Sequence, residues 1–101
     1  MFVKIEFEYE KDTVYLRCPA KVGRNIRQLQ QDFFRWLNDR NNDHPFWVSF
    51  GVDEDGNEEF GLSYNEDAFI YWLNNVRFNK GKKVAVLIKN PKFLPKKTIS
   101  F

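Results

Sequence analysis

Residues 2–18 read FVKIEFEYEKDTVYLRC, and their reading decides the fold. Val3, Ile5, Phe7 and Tyr9 alternate with Lys4, Glu6 and Glu8, the period of a half-buried strand. Val14, Leu16 and Cys18 alternate in the same way with Tyr15 and Arg17. Glu10-Lys11-Asp12 supplies a turn between the runs, which predicts a hairpin.

Working outward, Pro19 and Gly23 bracket a connection, and Asn25 can cap a helix with its side-chain oxygen. Ile26, Leu29, Phe33, Trp36 and Leu37 follow at helical spacing, so one stripe faces a core and the helix ends near Asp39. His44, the single histidine, falls in a polar run and reads as a solvated loop residue. Residues 46–52 predict a third strand, with Val48, Phe50 and Val52 toward the helices and Trp47 on the other side with Tyr15. Asp55-Gly56 signals a type I′ hairpin turn. Phe60 and Leu62 alternate on the return strand, and core packing assigns both to the inside.

Ser63-Tyr64-Asn65-Glu66 matches a capping box at the start of a second helix. Phe69, Trp72, Leu73 and Val76 form its buried stripe, and Gly81 permits a turn. Residues 84–88, VAVLI, are apolar on both faces, as in a central strand. Asn90-Pro91 and Leu94-Pro95 exclude a helix beyond Ile88. Residues 90–101 are therefore expected to run as an extended C-terminal arm, with Phe93, Leu94, Ile99 and Phe101 as apolar anchors.

The order is β-β-α-β-β-α-β. It predicts an α+β single domain: a mainly antiparallel sheet of about five strands packed with two amphipathic helices, in a ferredoxin-like arrangement with an added strand. Both helices carry Phe-x-x-Trp-Leu-Asn, at residues 33–38 and 69–74, as two helices docking on one sheet require. A length of 101 residues suits one domain, and 18% aromatic content excludes disorder.

Charge divides sharply. Residues 1–75 hold eight Lys/Arg against fourteen Asp/Glu, −6, whereas residues 76–101 hold eight basic residues and no acid, +8. Arg77, Lys80, Lys82, Lys83, Lys89, Lys92, Lys96 and Lys97 could line one basic stripe, with Phe78 or Phe93 as stacking aromatics. Lysines also guard an apolar strand against aggregation, and only one of the eight is Arg, the residue suited to bidentate phosphate contacts.

Chemistry-bearing motifs are few. Asp53-x-Asp55-x-Asn57 begins like a calcium loop but has Gly56 in the fourth place and Tyr64 in the twelfth, so an acidic turn explains it. One His and one Cys make no zinc site, and no phosphate-binding glycine pattern occurs. Cys18 reads as a small buried hydrophobe. No metal, no cofactor and no catalytic role is expected.

Glu66-Asp67-Ala68, Leu73-Asn74, Phe78, Gly81 and Lys83-Val84-Ala85-Val86, with Val14-Tyr15-Leu16 upstream, resemble in outline an RNA-recognition motif domain. That resemblance implies bases stacked on Tyr15 and Phe60. The element at residues 58–64, EEFGLSY, departs from it: Glu58 replaces a basic residue and Leu62 the second aromatic.

The function expected is a small non-catalytic protein-binding module of the inhibitor, immunity or mobile-element accessory type, with aromatic and charged surface as its means. The alternative is nucleic-acid binding through the basic C-terminal strand and arm. Candidate binding residues are Trp47, Tyr15, Phe93 and the eight basic residues above. A cytoplasmic monomer or weak homodimer with a protein partner and no membrane contact is expected, since no apolar run approaches the roughly 18 residues of a span.

Overall fold

The computed structural model describes residues 1–7, 13–79 and 83–101. Tyr9, the turn at 10–12, Lys80, Gly81 and Lys82 lie outside the described residues. Within them run β1 (Phe2–Glu6), β2 (Val14–Arg17), α1 (Ala20–Arg24), α2 (Ile26–Asn38), β3 (Trp47–Val52), β4 (Glu58–Leu62), α3 (Glu66–Trp72), β5 (Val86–Ile88) and β6 (Thr98–Ser100). A π-helical turn, Leu73–Arg77, extends α3. The architecture is α+β in one small domain.

The strands divide between two sheets. Four form a mixed sheet in the order β5-β2-β1-β6, and β3-β4 form a separate two-stranded sheet. The β1–β2 hairpin pairs Val3 with Leu16 and Ile5 with Val14, antiparallel. β6 joins β1 in parallel, with Ile5 opposite Ile99. Alternation therefore does what the sequence requires: Val3, Ile5, Leu16 and Ile99 are buried on one face, beneath the helices. Ile26, Leu29, Phe33 and Leu37 of α2 and Phe69, Trp72 and Leu73 of the second helix complete the core. Each such side chain withdrawn from water contributes roughly 1.5–3 kcal/mol before entropy is counted.

Aromatic rings knit this core. Phe33 meets Phe69 edge-on at 5.3 Å, and Phe101 stacks on Phe7 at 4.9 Å. The end of the C-terminal segment is thus anchored in its own domain, through Phe101 and buried Ile99.

Several local expectations are corrected. β5 is an edge strand and not a central one, and its three residues are half-buried. The cap of α3 is Asn65, whose side chain accepts from Asp67 N at 2.9 Å, in place of a Ser63–Glu66 box. Asn25 makes no side-chain cap; its Nδ2 donates to Lys21 O at 2.9 Å across the α1–α2 junction. Val76 is exposed, because the π-helical turn rotates the stripe past it while Phe78 N bonds back to Leu73 O. The hairpin turn has positive φ at Gly56 alone, with Gly56 N donating to Asp53 O. That is a type I turn closed by a left-handed glycine, not type I′.

Asn74 couples the second helix to the last strands. Its Oδ1 accepts from Val84 N and Ala85 N at 2.8 and 2.9 Å, and its Nδ2 donates to Ala85 O at 2.9 Å. One side chain thereby satisfies three backbone groups leading into β5. No helix among the described residues is long and apolar enough to cross a membrane.

Candidate functional site

The β3–β4 hairpin is rooted rigidly and then leaves the body of the protein. At its root His44 is buried, 6% exposed, and not solvated as its polar neighbours in sequence suggest. Its Nε2 lies 2.8 Å from Leu37 O, and its Nδ1 lies 3.2 Å from the Phe46 N–H. Nε2 thus donates and Nδ1 accepts, the pattern of a neutral imidazole. The ring is held between Trp36 at 4.6 Å and Trp47, stacked at 5.2 Å with planes 8° apart. Trp47 Nε1 donates to Asn42 O at 2.9 Å, and Ser63 N donates to Phe46 O at 2.9 Å.

Past this root the packing stops. Of the hairpin's apolar residues only Phe46 and Leu62 pack against the core. From residue 49 to residue 60 every residue except Asp53 is exposed. Phe50 is 69% exposed, Val52 67% and Phe60 42%, which corrects their expected place against the helices. The protein is accordingly elongated, 53 × 32 × 20 Å, with a radius of gyration of 15.4 Å. A compact chain of this length would have about 13 Å.

The hairpin surface has a definite shape. Its register slips between Ser49 and Gly51, a bulge that leaves Phe50 unpaired; Gly51 takes φ +113°, which favours glycine. Phe50 covers the backbone of Gly61 on one face. On the other, Trp47, Phe60, Arg40 and Asp43 line a groove of about 290 Å³, with the Arg40 guanidinium 5.8 Å from the Trp47 ring centre. The segment from 46 to 62 carries Asp53, Glu54, Asp55, Glu58 and Glu59 and no basic residue. Among the described residues none of these five carboxylates forms an ion pair.

Trp47 and Tyr15 are not brought together. Tyr15 lies in β2, half-buried, between Lys4 and Ile88 on the sheet face away from the helices, whereas Trp47 belongs to the hairpin root. Tyr15 and Phe60 likewise occupy different sheets, so they form no common stacking platform.

The basic residues are dispersed as well. Arg77 lies 4.8 Å from the Phe78 ring centre, in a hollow with Lys21, Asn25, Gln28 and Asp32. Lys83 stands beside Asp67 and Asn74 at the entry to β5. Lys89, Lys92 and Lys96 are exposed on the crossover between β5 and β6, which sit at opposite edges of the sheet. Lys92 Nζ is 6.0 Å from the exposed Phe93 ring. Lys97 is engaged internally: its Nζ donates to Gly23 O and Arg24 O at 3.2 and 3.1 Å, where the carbonyls of α1 end. Lys80 and Lys82 lie outside the described residues.

Cys18 is buried, and desolvation pushes its thiol above the ordinary value of 9.0, against smaller opposing effects of the amino-terminal charge and a Gly23 backbone hydrogen bond. A thiol held protonated is a poor nucleophile.

Reading by alternation missed Phe50, Val52 and Phe60 as surface residues. The available signal was glycine inside both strands, Gly51 and Gly61, in a segment carrying only negative charge. Comparison with protein-family models, with curated proteins and with solved structures finds no match, so function is read from this chain's own geometry.

Proposed function

We propose that this chain is a small non-catalytic protein-binding module whose working surface is the β3–β4 hairpin. One observation carries the reading: Phe50, Val52 and Phe60 stand in water on an element whose root is fixed by His44, Trp47 and Phe46. Exposed apolar clusters on a rigid support mark interaction sites. Docking such rings recovers the hydrophobic free energy that the isolated fold leaves unused, up to about 1.5–3 kcal/mol each. Because the rigid root already orders the strands, little conformational entropy is lost on binding.

The hairpin offers two modes of contact. Its outer edges are unpaired within the described residues, so an extended segment of a partner can add as a further strand. Its five carboxylates select a partner with a basic, apolar-lined cleft. The test is a pull-down from the native host with the wild-type chain and with the Phe50→Ser/Val52→Ser/Phe60→Ser variant. The reading requires a protein retained by the former and lost with the latter. Equal recovery by both would overturn it.

A second reading has one specific support. Exposed Phe93 beside Lys92, with Lys89 and Lys96 nearby, combines a stacking ring with positive charge, as single-stranded nucleic acid requires. Fluorescence anisotropy with single-stranded DNA and RNA at two salt concentrations tests it. Binding should appear at low salt and weaken steeply as salt rises.

A further inference from the structure

The surface carries two exposed apolar elements of opposite charge. The charged side chains of the hairpin, residues 46–62, are all acidic, and the aromatic groove at its root is lined by one base, Arg40, and one acid, Asp43. The crossover at 89–97 is entirely basic, and at its centre Phe93 and Leu94 are 68% and 84% exposed. Pro91 and Pro95 bracket that pair and restrict the backbone on either side, and the chain bends at Lys92 and Phe93. Ile99 and Phe101, a few residues on, are packed into the domain. Tucking apolar side chains inward is therefore possible for this segment, yet Phe93 and Leu94 stay out.

We infer that two copies of the chain pair reciprocally, the Phe93–Leu94 knob of each seated in the groove of the other between Trp47 and Phe60. Lys92 and Lys96 then face the hairpin carboxylates, which have no ion-pair partner among the described residues. The inference rests on the hairpin being a protein-docking surface and names its occupant. Charge complementarity chooses a second copy: the chain supplies both an acidic hairpin, beside its aromatic groove, and a basic knob, and within one copy the knob does not line the groove. The groove, about 290 Å³, accepts one aromatic side chain. A buried aromatic residue removes roughly 150–250 Å² from water, so a single knob makes a small contact. Two together remove roughly 300–500 Å², still below the ~1,200 Å² at which specific interfaces begin, so the reciprocal pair is closed but weak.

Sedimentation equilibrium tests this on the full chain, with far-UV circular dichroism to confirm that each variant folds. The wild type should show a reversible monomer–dimer equilibrium that weakens with salt. Phe93→Ser/Leu94→Ser removes the knob and Phe60→Ser opens the groove; alone, each should lose about tenfold or more in association, one 1.4 kcal/mol step. Mixing the two variants should restore association above either alone, because one intact knob then meets one intact groove. Three results overturn the pairing: a wild type monomeric up to roughly 100 μM, where even weak interfaces register; variants that dimerise like the wild type; or a mass rising past two copies. If the wild type is monomeric while the pull-down still loses its protein with the hairpin variant, the self-pairing falls and the hairpin reading stands.

Discussion

The ring of Phe50 lies across the backbone of Gly61, on the strand paired with its own. A side chain at Gly61 would occupy the space of that ring, so the glycine sets where Phe50 stands. Phe50 is unpaired in the ladder and largely in water, so its ring can swing away at little cost to the fold. Gly61→Ala should change stability by no more than about 0.5–1 kcal/mol in urea denaturation. It should nonetheless weaken capture of the partner severalfold. Unchanged capture would show that the position of Phe50 does not matter to binding.

Asn74→Ala should be costly. It orphans the N–H groups of Val84 and Ala85 together with Ala85 O, for which about 2–3 kcal/mol is expected. Asn75 is the matched control, since its exposed side chain donates once, to Tyr71 O in its own helix. Asn75→Ala should cost less than about 0.5 kcal/mol. Equal urea midpoints for the two variants would contradict the clamp.

Removal of residues 98–101 deletes β6, buried Ile99 and the Phe101 ring against Phe7 and Phe69. Loss of such core contacts costs about 3 kcal/mol or more. For a domain of this size that lowers Tm by at least ~12 °C in a thermal scan. Phe93→Ser/Leu94→Ser should leave Tm nearly unchanged, since both side chains face water. An unchanged Tm after removal of residues 98–101 would contradict the anchoring.

Cys18 predicts a loss of stability at alkaline pH. Its folded-state pKa is raised by burial above the ordinary 9.0. Below 9.0 the thiol is protonated in both states, and its contribution is fully present. As pH rises through that value the unfolded chain releases the proton while the folded chain keeps it, so stability falls until the folded-state pKa is passed. Urea denaturation at about pH 8 and about pH 10 should show a larger loss for the wild type than for Cys18→Ala. The two proteins differ at this side chain alone, so the difference isolates the thiol. Equal losses would contradict it.

What could be read in advance depended on what each pattern encodes. Alternation in β1 and β2 put Val3, Ile5 and Leu16 on one face, and that face is buried. Helical spacing placed Ile26, Leu29, Phe33 and Leu37 correctly for the same reason. In β3 the same alternation identified a face through Val48, Phe50 and Val52 but not what covers it. Periodicity is identical whether a face meets its own helices or another molecule. His44 and Lys97 illustrate a different limit. Their partners, Leu37 O and the carbonyls of Gly23 and Arg24, are backbone groups that only the fold brings within reach. The β5–β6 crossover also escaped reading, because opposite sheet edges separate lysines that are neighbours in sequence.

The central claim is that the hairpin meets a protein, and site-specific photo-crosslinking in native-host extract tests it most directly. A benzophenone side chain at position 60 replaces an exposed ring on the hairpin, and one at position 31 replaces exposed Gln31 on α2 as the control. The account predicts a discrete protein adduct from position 60 that is absent from position 31. No adduct from position 60, or the same adducts from both positions, would contradict it.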